Sequence, residues 1–379
     1  MALTRKKTLL AKIESVYGTD PVPTGSANAM LVKNLTATPL SAELVSRDLV
    51  RPYLGNSENL IAQKFQQLDF EIEMVGSGAV GLTPAYDPLL RACGFVKAAT
   101  TASISITRAS STATATLSAH GYNVGDKVVI SGAAQAEYNG TQTIIAKTTN
   151  TFDFTVTGTP ATPATGAPVL TTKNTYSPVS SSFESVTLYF NQDGLNHKVT
   201  GARGNVEFGI NVKQIPTMKF SFQGFYNAPS DVAAPSVDYS AFMIPLVANT
   251  QNTPVYSLHG YSASGLESVN LNMANDVVYA TLIGSESVKI IDRKPAGTVV
   301  LEAPAIATKD FFGIASAQTS GALTVTQDSR NGYKVKLTCG QILLGNPSYA
   351  DSNGTAMLSI PFTANPTSAG NDEVSIEVA

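Results

Sequence analysis

The sequence predicts a mainly β protein. It reads as two tandem β-sandwich or barrel domains, each with a short α-helix, and a small all-β module inserted in the first. Three observations lead there. A helix-plus-hairpin pattern occurs twice, the apolar runs alternate with the period of strands, and a Thr/Ala/Ser-rich stretch interrupts only the first copy. That copy begins with the predicted helix Asp87–Phe95, resumes near Ser185 with SVTLYFNQDGLNHKVTGARGNVEFGI and closes on MKFSFQGFYNAP at Pro229. The second begins with KDFFGIASA from Lys309, continues with ALTVTQDSRNGYKVKLTCGQILLGNP and closes on AMLSIPFTANP at Pro366. From Gly194 to Pro229 and from Gly332 to Pro366 the spacing agrees to within about one residue. Two copies are too few for a solenoid, so a duplicated β-domain is the reading.

Residues 1–40 read as an N-terminal arm. Leu9, Leu10 and Ile13 suit one face of a short helical turn, and Pro21, Pro23 and Gly25 forbid its continuation. The first domain is expected from 41–99 joined to 173–229. Leu68, Phe70, Ile72 and Met74 alternate there with Asp69, Glu71 and Glu73, the pattern of a half-buried strand. The connection from Arg51 to Lys64 is longer than a hairpin needs. Asp87 is placed as a helix cap, with Pro88 at the first helical position and Gly94 as the stop. Residues 100–172 form the inserted module, with strands at Val128–Ile130, Thr143–Ile145 and Phe152–Val156. Insertions succeed at exposed loop tips, so the module is expected to stand outward. Residues 230–254 are a linker, and 255–379 form the second domain. Its GSESVKIIDRKPAGTVVLEAP stretch is a loop analogous to the long connection of the first copy, and Asp310 caps its helix.

Hydrophobic residues make up 43% and charged residues only 14% of the 379 positions, so the chain can build cores but has a thinly charged surface. Such a surface suits a protein that covers itself with copies of itself. The net charge of −3 comes with no long charged tail of the sort that binds nucleic acid. Arg5, Lys6 and Lys7 form a small basic cluster, either a solvated terminus or a subunit contact. Cys93 and Cys339 could form one disulfide but read better as two buried free thiols, in keeping with synthesis in a reducing compartment. No apolar run approaches a transmembrane length, and the start of the chain is too weakly apolar for a signal peptide. The expected site of synthesis is a cytoplasm.

Nothing in the sequence argues for an enzyme, a cofactor or a metal. His120, His197 and His259 lie far apart without ligating neighbours, and read as turn or surface residues. GNSEN and GSESV lack the frame of a nucleophile elbow. Asp69, Glu71 and Glu73 resemble paired carboxylates, yet same-face residues recur every 6–7 Å or so along a strand, which is the spacing of a solvated face. Tyr122, Tyr138, Phe152 and Phe154 could stack on a sugar, but suit a core better.

The segments MALTRKKTLLAKIESVYGTDPVPTG, LVSRDLVRPYLGNSENLIAQK, TPAYDPLLRACGF and MLSIPFTANP…NDEVSIEV resemble tail tube proteins (major tail proteins) of long-tailed, siphovirus-like bacteriophages. The stretch GYNVGDKVVISGA…YNGTQTI…TFDFTV is similar to small β-modules of phage structural proteins. The resemblance implies a β-sandwich with a flanking helix, whose sheets join around a ring into an inner barrel and whose rings stack into a tube. It implies a homo-oligomer in the virion tail, with tape measure protein and other tail proteins as partners and DNA passing through the lumen without specific binding. A duplicated chain would complete a pseudo-sixfold ring with three copies, six single-domain-like subunits being the alternative. Asp69, Glu71 and Glu73 are then a candidate lumen-facing row, with an outward face as the other reading. Arg5, Lys6, Lys7, Arg51, Tyr53, Asn56, Lys64, Arg293 and Lys294 are candidate inter-ring contacts. The rival readings are another β-rich virion protein, or a cell-surface adhesin or carbohydrate-binding protein.

Overall fold

A computed structural model describes residues 3–379; Met1 and Ala2, the first residues of the expected arm, lie outside the described residues. The protein is mainly β, with three short helices and one single-turn 3-10 helix among the described residues. Its strands pair antiparallel into large sheets, and no barrel closes among the described residues.

Eight strands form one continuous wall. In the first half, Lys33–Ser46 pairs with Asn59–Glu73, which pairs with Thr217–Tyr226, which pairs with Leu195–Asn211. In the second half, Leu266–Asn272 pairs with Ala296–Glu302, then Thr355–Ala364, then Ser348–Ser352. The strand order is the same in both halves. It continues the same way behind the wall. Leu195–Asn211 turns into a second layer with Val186–Gln192 and Lys7–Ile13. Its counterpart Val335–Leu344 joins Gly321–Gln327 and Val255–Leu258.

Alternation explains which side is buried. Leu68, Phe70 and Ile72 on one strand meet Phe222, Phe220 and Met218 on the next, and all six side chains are buried. Val299 and Leu301 meet Ile360 and Leu358 in the second half in the same way. A single apolar core runs through both halves between the wall and the layer behind it. The helices Asp87–Ala92 and Phe311–Ser316 lie on that covered side.

The helix signals act locally and sit close to where they are expected. Asp310 accepts a hydrogen bond from the Gly313 amide at 2.7 Å, a capping contact. The first helix starts at Asp87 itself, with Tyr86 as its cap and Pro in the first turn. The Asp87 carboxylate is buried and takes hydrogen bonds from the Tyr176 hydroxyl (2.8 Å) and Arg91 (3.2 Å). Asp193 and Gly194 both have positive φ, 45° and 97°, as the two-residue hairpin requires.

Two expectations are corrected. Lys7–Ile13 is a strand and not a helical turn, because Leu9, Leu10 and Ala11 are all buried: the segment is covered on both faces, so it reads as a continuous apolar run. The GSESVKIIDRKPAGTVVLEAP stretch, 284–304, is not a loop: it holds the strands Ser285–Arg293 and Ala296–Glu302. Asn275–Leu282 and Ser285–Arg293 form a two-stranded sheet of their own.

The Lys7–Ile13 strand is locked at its end by Glu14. This buried carboxylate accepts from the Gly18 amide (2.7 Å), Ser185 Oγ (2.6 Å), Thr187 Oγ1 (2.6 Å) and the Gly201 amide (2.7 Å). Four donors around one carboxylate offset its desolvation. Glu14→Ala would leave several buried donors unpaired, and is expected to lower unfolding stability by about 3 kcal/mol. A shift of the urea midpoint at unchanged slope would report it; an unchanged midpoint would show that water replaces the carboxylate.

Residues 104–156 pack around a separate core with Val80 and Leu170, and Tyr122, Tyr138, Phe152 and Phe154 are all inside it. Val80 bridges to Val128, and Asn331 donates to Asp126 at 2.7 Å, so these strands are held against both halves of the chain.

Candidate assembly surfaces

The wall has a covered face and a bare one. The bare face carries the side chains that alternate with the core residues. Asp69, Glu71 and Glu73 lie together on it, half-buried, one after another along Asn59–Glu73. Register adds neighbours that spacing alone could not supply. Glu71 stands opposite Lys33 on one side and Lys219 on the other, and Lys219 stands opposite Glu207. Lys33 Nζ reaches Glu73 at 2.7 Å, an ion pair open enough to water to contribute little, about 0–1 kcal/mol. The face of the first half thus sets Asp69, Glu71, Glu73 and Glu207 against Lys33 and Lys219. The second half offers mostly neutral residues in the equivalent rows, Ser268, Asn270 and Asn272, Thr298 and Val300, Ser359 and Thr363, with the exposed Glu302 at the place of Glu73.

The two halves meet edge to edge. Residues Glu207–Asn211 pair with Ser268–Asn272, and this seam makes one sheet of the two. Phe208 faces Leu271 across it, and both are fully buried. A second seam lies behind, where Ser375–Val378 bridges Gly166–Pro178 and Val335–Leu344.

The outer edges of the wall have no such partner among the described residues. Lys33–Ser46 pairs only with Asn59–Glu73, and Ser348–Ser352 only with Thr355–Ala364. Counting from the shared pairs along the two halves, Ser348–Ser352 occupies the position of Glu207–Asn211, and Tyr349 that of Phe208. Tyr349 is 69% exposed where Phe208 is 0%. Two unpaired edges at opposite ends of one sheet are a template for further strand pairing.

The basic candidates are scattered. Arg5 is exposed, Lys6 Nζ lies 3.5 Å from Asp193, and Lys7 Nζ donates to the Leu35 carbonyl at 3.2 Å. Arg51 lies over Tyr53 (5.9 Å to the centroid) near the tip of the long hairpin, where Asn56 is also exposed. Lys64 covers the Tyr226 ring at 4.7 Å on the stem of the same hairpin. Arg293 is engaged inside the chain by Glu373, the Val179 carbonyl and Asn371, while Lys294 is exposed beside Asp292 at 3.0 Å. The sequence reading missed Glu207, Lys219 and Lys33 on the bare face, and Tyr349 at the edge. The Val206–Phe208–Ile210 alternation carried the signal for Glu207; nothing local marked Tyr349.

Among the described residues no group of three ligating side chains could hold a metal ion, and no helix is long and apolar enough to cross a membrane. Cys93 and Cys339 are free and buried, and burial pushes the Cys339 thiol up to about 12. A family model described as phage tail tube protein matches residues 151–364, more than half of the chain. No curated protein matches it.

Proposed function

We propose, on the premise that the chain belongs to the phage tail tube protein family, that three copies close into a ring and that rings stack into the conduit for DNA. The family makes it a structural protein of the virion tail; the ring, the stacking and the conduit are our reading. The observation that carries it is the seam at Glu207–Asn211, which pairs the last wall strand of one half with the first wall strand of the other. Repeating that junction between chains would pair Ser348–Ser352 of one copy with Lys33–Thr38 of the next. The contact is heterologous, so it can close only as a ring.

Geometry favours three chains over six. Each chain brings eight wall strands. Three chains at about 4.8 Å per strand give a circumference of about 115 Å and a diameter of about 37 Å before tilt widens it. After side chains, that bore is comparable with a DNA duplex. Six chains would give a bore of about 73 Å by the same spacing, far wider than a duplex needs. The helices and the second layer crowd the covered side, which supports placing it outward and the bare, acidic-to-neutral face around the lumen. An acidic wall repels phosphates and keeps DNA moving. Arg5, Lys6, Lys7, Arg51, Tyr53, Asn56, Lys64, Arg293 and Lys294 remain the proposed ring-to-ring contacts, with Arg293 shaping the loop that presents Lys294. Assembly in the host cytoplasm, contact with the tape measure protein and the long-tailed morphology belong to the same reading.

Negative-stain microscopy of the purified protein is expected to show rings or tubes of constant diameter. Native mass spectrometry of single rings should give three times 39.6 kDa. A mass of six chains would overturn the stoichiometry, and particles that never form rings would overturn the reading.

A further inference from the structure

We propose that the outer stem of the long hairpin, residues 44–46 and 59–61, docks on the second half of the neighbouring chain in the same ring. The inference rests on the ring reading above. It starts from the two wall hairpins, which are the same element in different circumstances. Each continues the first two wall strands of its half beyond the wall, after a break in register.

The second hairpin, Asn275–Arg293, is folded onto the first half. Tyr279 stacks on Phe65 at a centroid distance of 5.6 Å and meets Phe225 edge-on at 6.0 Å. The Val288 amide donates to Tyr17 Oη at 2.6 Å, and its carbonyl accepts from Arg203 at 2.6 Å. Tyr279, Val288 and Ile290 are buried by this docking. The first hairpin has apolar residues on its stem as well, Leu44, Val45, Leu60 and Ile61, and each is more than half exposed. Leu44 and Ile61 pair on one face of the hairpin and Val45 and Leu60 on the other. Counted from the bases, Val45 and Leu60 take the places of Tyr279 and Val288, so they are the docking face without its partner.

The partner surface is the counterpart of the one that the second hairpin occupies. That surface lies between the base of one hairpin, at Phe65, and the end of the third wall strand, at Phe225. The corresponding place in the second half lies between the base of the second hairpin and the end of Thr355–Ala364. An open cleft of about 610 Å³ is found there, with Ile290, Ile291, Pro295, Ala364 and Pro366 among its lining residues. In the first half the hairpin of the same chain fills this place; in the second half only the hairpin of the next chain stands in the equivalent position. Val45 and Leu60 match the apolar part of a lining that also carries Asp292, Arg293, Lys294 and Glu373, and the tip at 47–58 is left free to reach a neighbouring ring.

The test is photocrosslinking from a benzoylphenylalanine placed at Leu60, the counterpart of the docked Val288, in the full chain and applied to assembled protein. Digestion and mass spectrometry then identify the partner peptide. The expected product joins position 60 to a peptide from 285–302 or 355–371 of another chain. On a denaturing gel the ladder should stop at the number of chains in one ring. A partner peptide elsewhere, a ladder that runs on past one ring, or rings that give no crosslink would each overturn the docking while leaving the ring reading standing. Absence of rings in the unsubstituted protein would overturn both.

Discussion

Tyr349→Pro is expected to give a protein that folds and never closes a ring. The reason lies in the hairpin that carries the free edge. Asn353 and Gly354 both have positive φ (53° and 81°), which makes a two-residue primed turn between Ser352 and Thr355. Such a turn makes its flanking residues a hydrogen-bonded pair, and the pattern alternates from there. Ser348, Ala350 and Ser352 therefore bond inward to Thr355–Ala364, while Tyr349 and Asp351 aim their amides and carbonyls at the open edge. The internal seam agrees. The Val206 carbonyl accepts from Met273 and the Val212 amide donates to Glu267, so Phe208, which corresponds to Tyr349, faces across the seam. Proline at 349 removes an outward donor and puts a ring in the path of the incoming strand, yet takes nothing from the internal ladder. A junction of five residues amounts to several hydrogen bonds at about 1 kcal/mol each, plus about 2 kcal/mol for burying the tyrosine. Every junction in the ring must form, so a loss at one is repeated at each. Size-exclusion chromatography should show monomers only, with thermal unfolding of the monomer changed by no more than a degree or two. Tyr349→Phe, which keeps the amide and the apolar bulk, should assemble like the parent. Tubes formed by the proline variant would end the proposal that this edge closes the ring.

What could be read in the sequence was what neighbours along the chain decide. Asp310 caps its helix, Asp193–Gly194 turns its hairpin, and the Leu68–Phe70–Ile72 alternation sets Asp69, Glu71 and Glu73 on one face, because each needs only a few adjacent residues. The Lys7–Ile13 strand was not legible. KTLLAKI is apolar on successive positions, which periodicity reads as readily as a helix. The seam between Glu207–Asn211 and Ser268–Asn272 joins strands some sixty residues apart, and no local pattern encodes which edge meets which. Composition shows the same limit at the candidate surfaces. Lys33, Glu71, Lys219 and Glu207 form one line across three strand junctions only once register is fixed. The 284–304 stretch reads as analogous to the long connection of the first half, but as a loop; that both places hold a hairpin is visible only once the strands at their bases are paired.

Reversing the charge of the bare face tests its orientation most strongly. With Asp69→Lys, Glu71→Lys and Glu73→Lys together, three negative groups per chain become positive at every equivalent position around the ring. If the row lines the lumen, passing DNA meets stacked rings of lysine, each phosphate contact releasing counterions and steepening the salt dependence of binding by about 0.9 per contact. Particles carrying the variant should then be produced in normal number, contain DNA and fail to deliver most of it, a defect relieved as salt rises. The neutral set Asp69→Asn, Glu71→Gln and Glu73→Gln separates charge from packing. It removes the same Lys33–Glu73 pair, whose open position makes the stability change small, about 1 kcal/mol or less. The neutral variant is therefore expected to deliver DNA nearly as the parent does. Were both variants equally defective, the fault would lie in folding or assembly. Full delivery by the lysine variant would place the row on the outer wall, and with it turn the whole sheet over, since the helices and the second layer would then have to fit inside the bore.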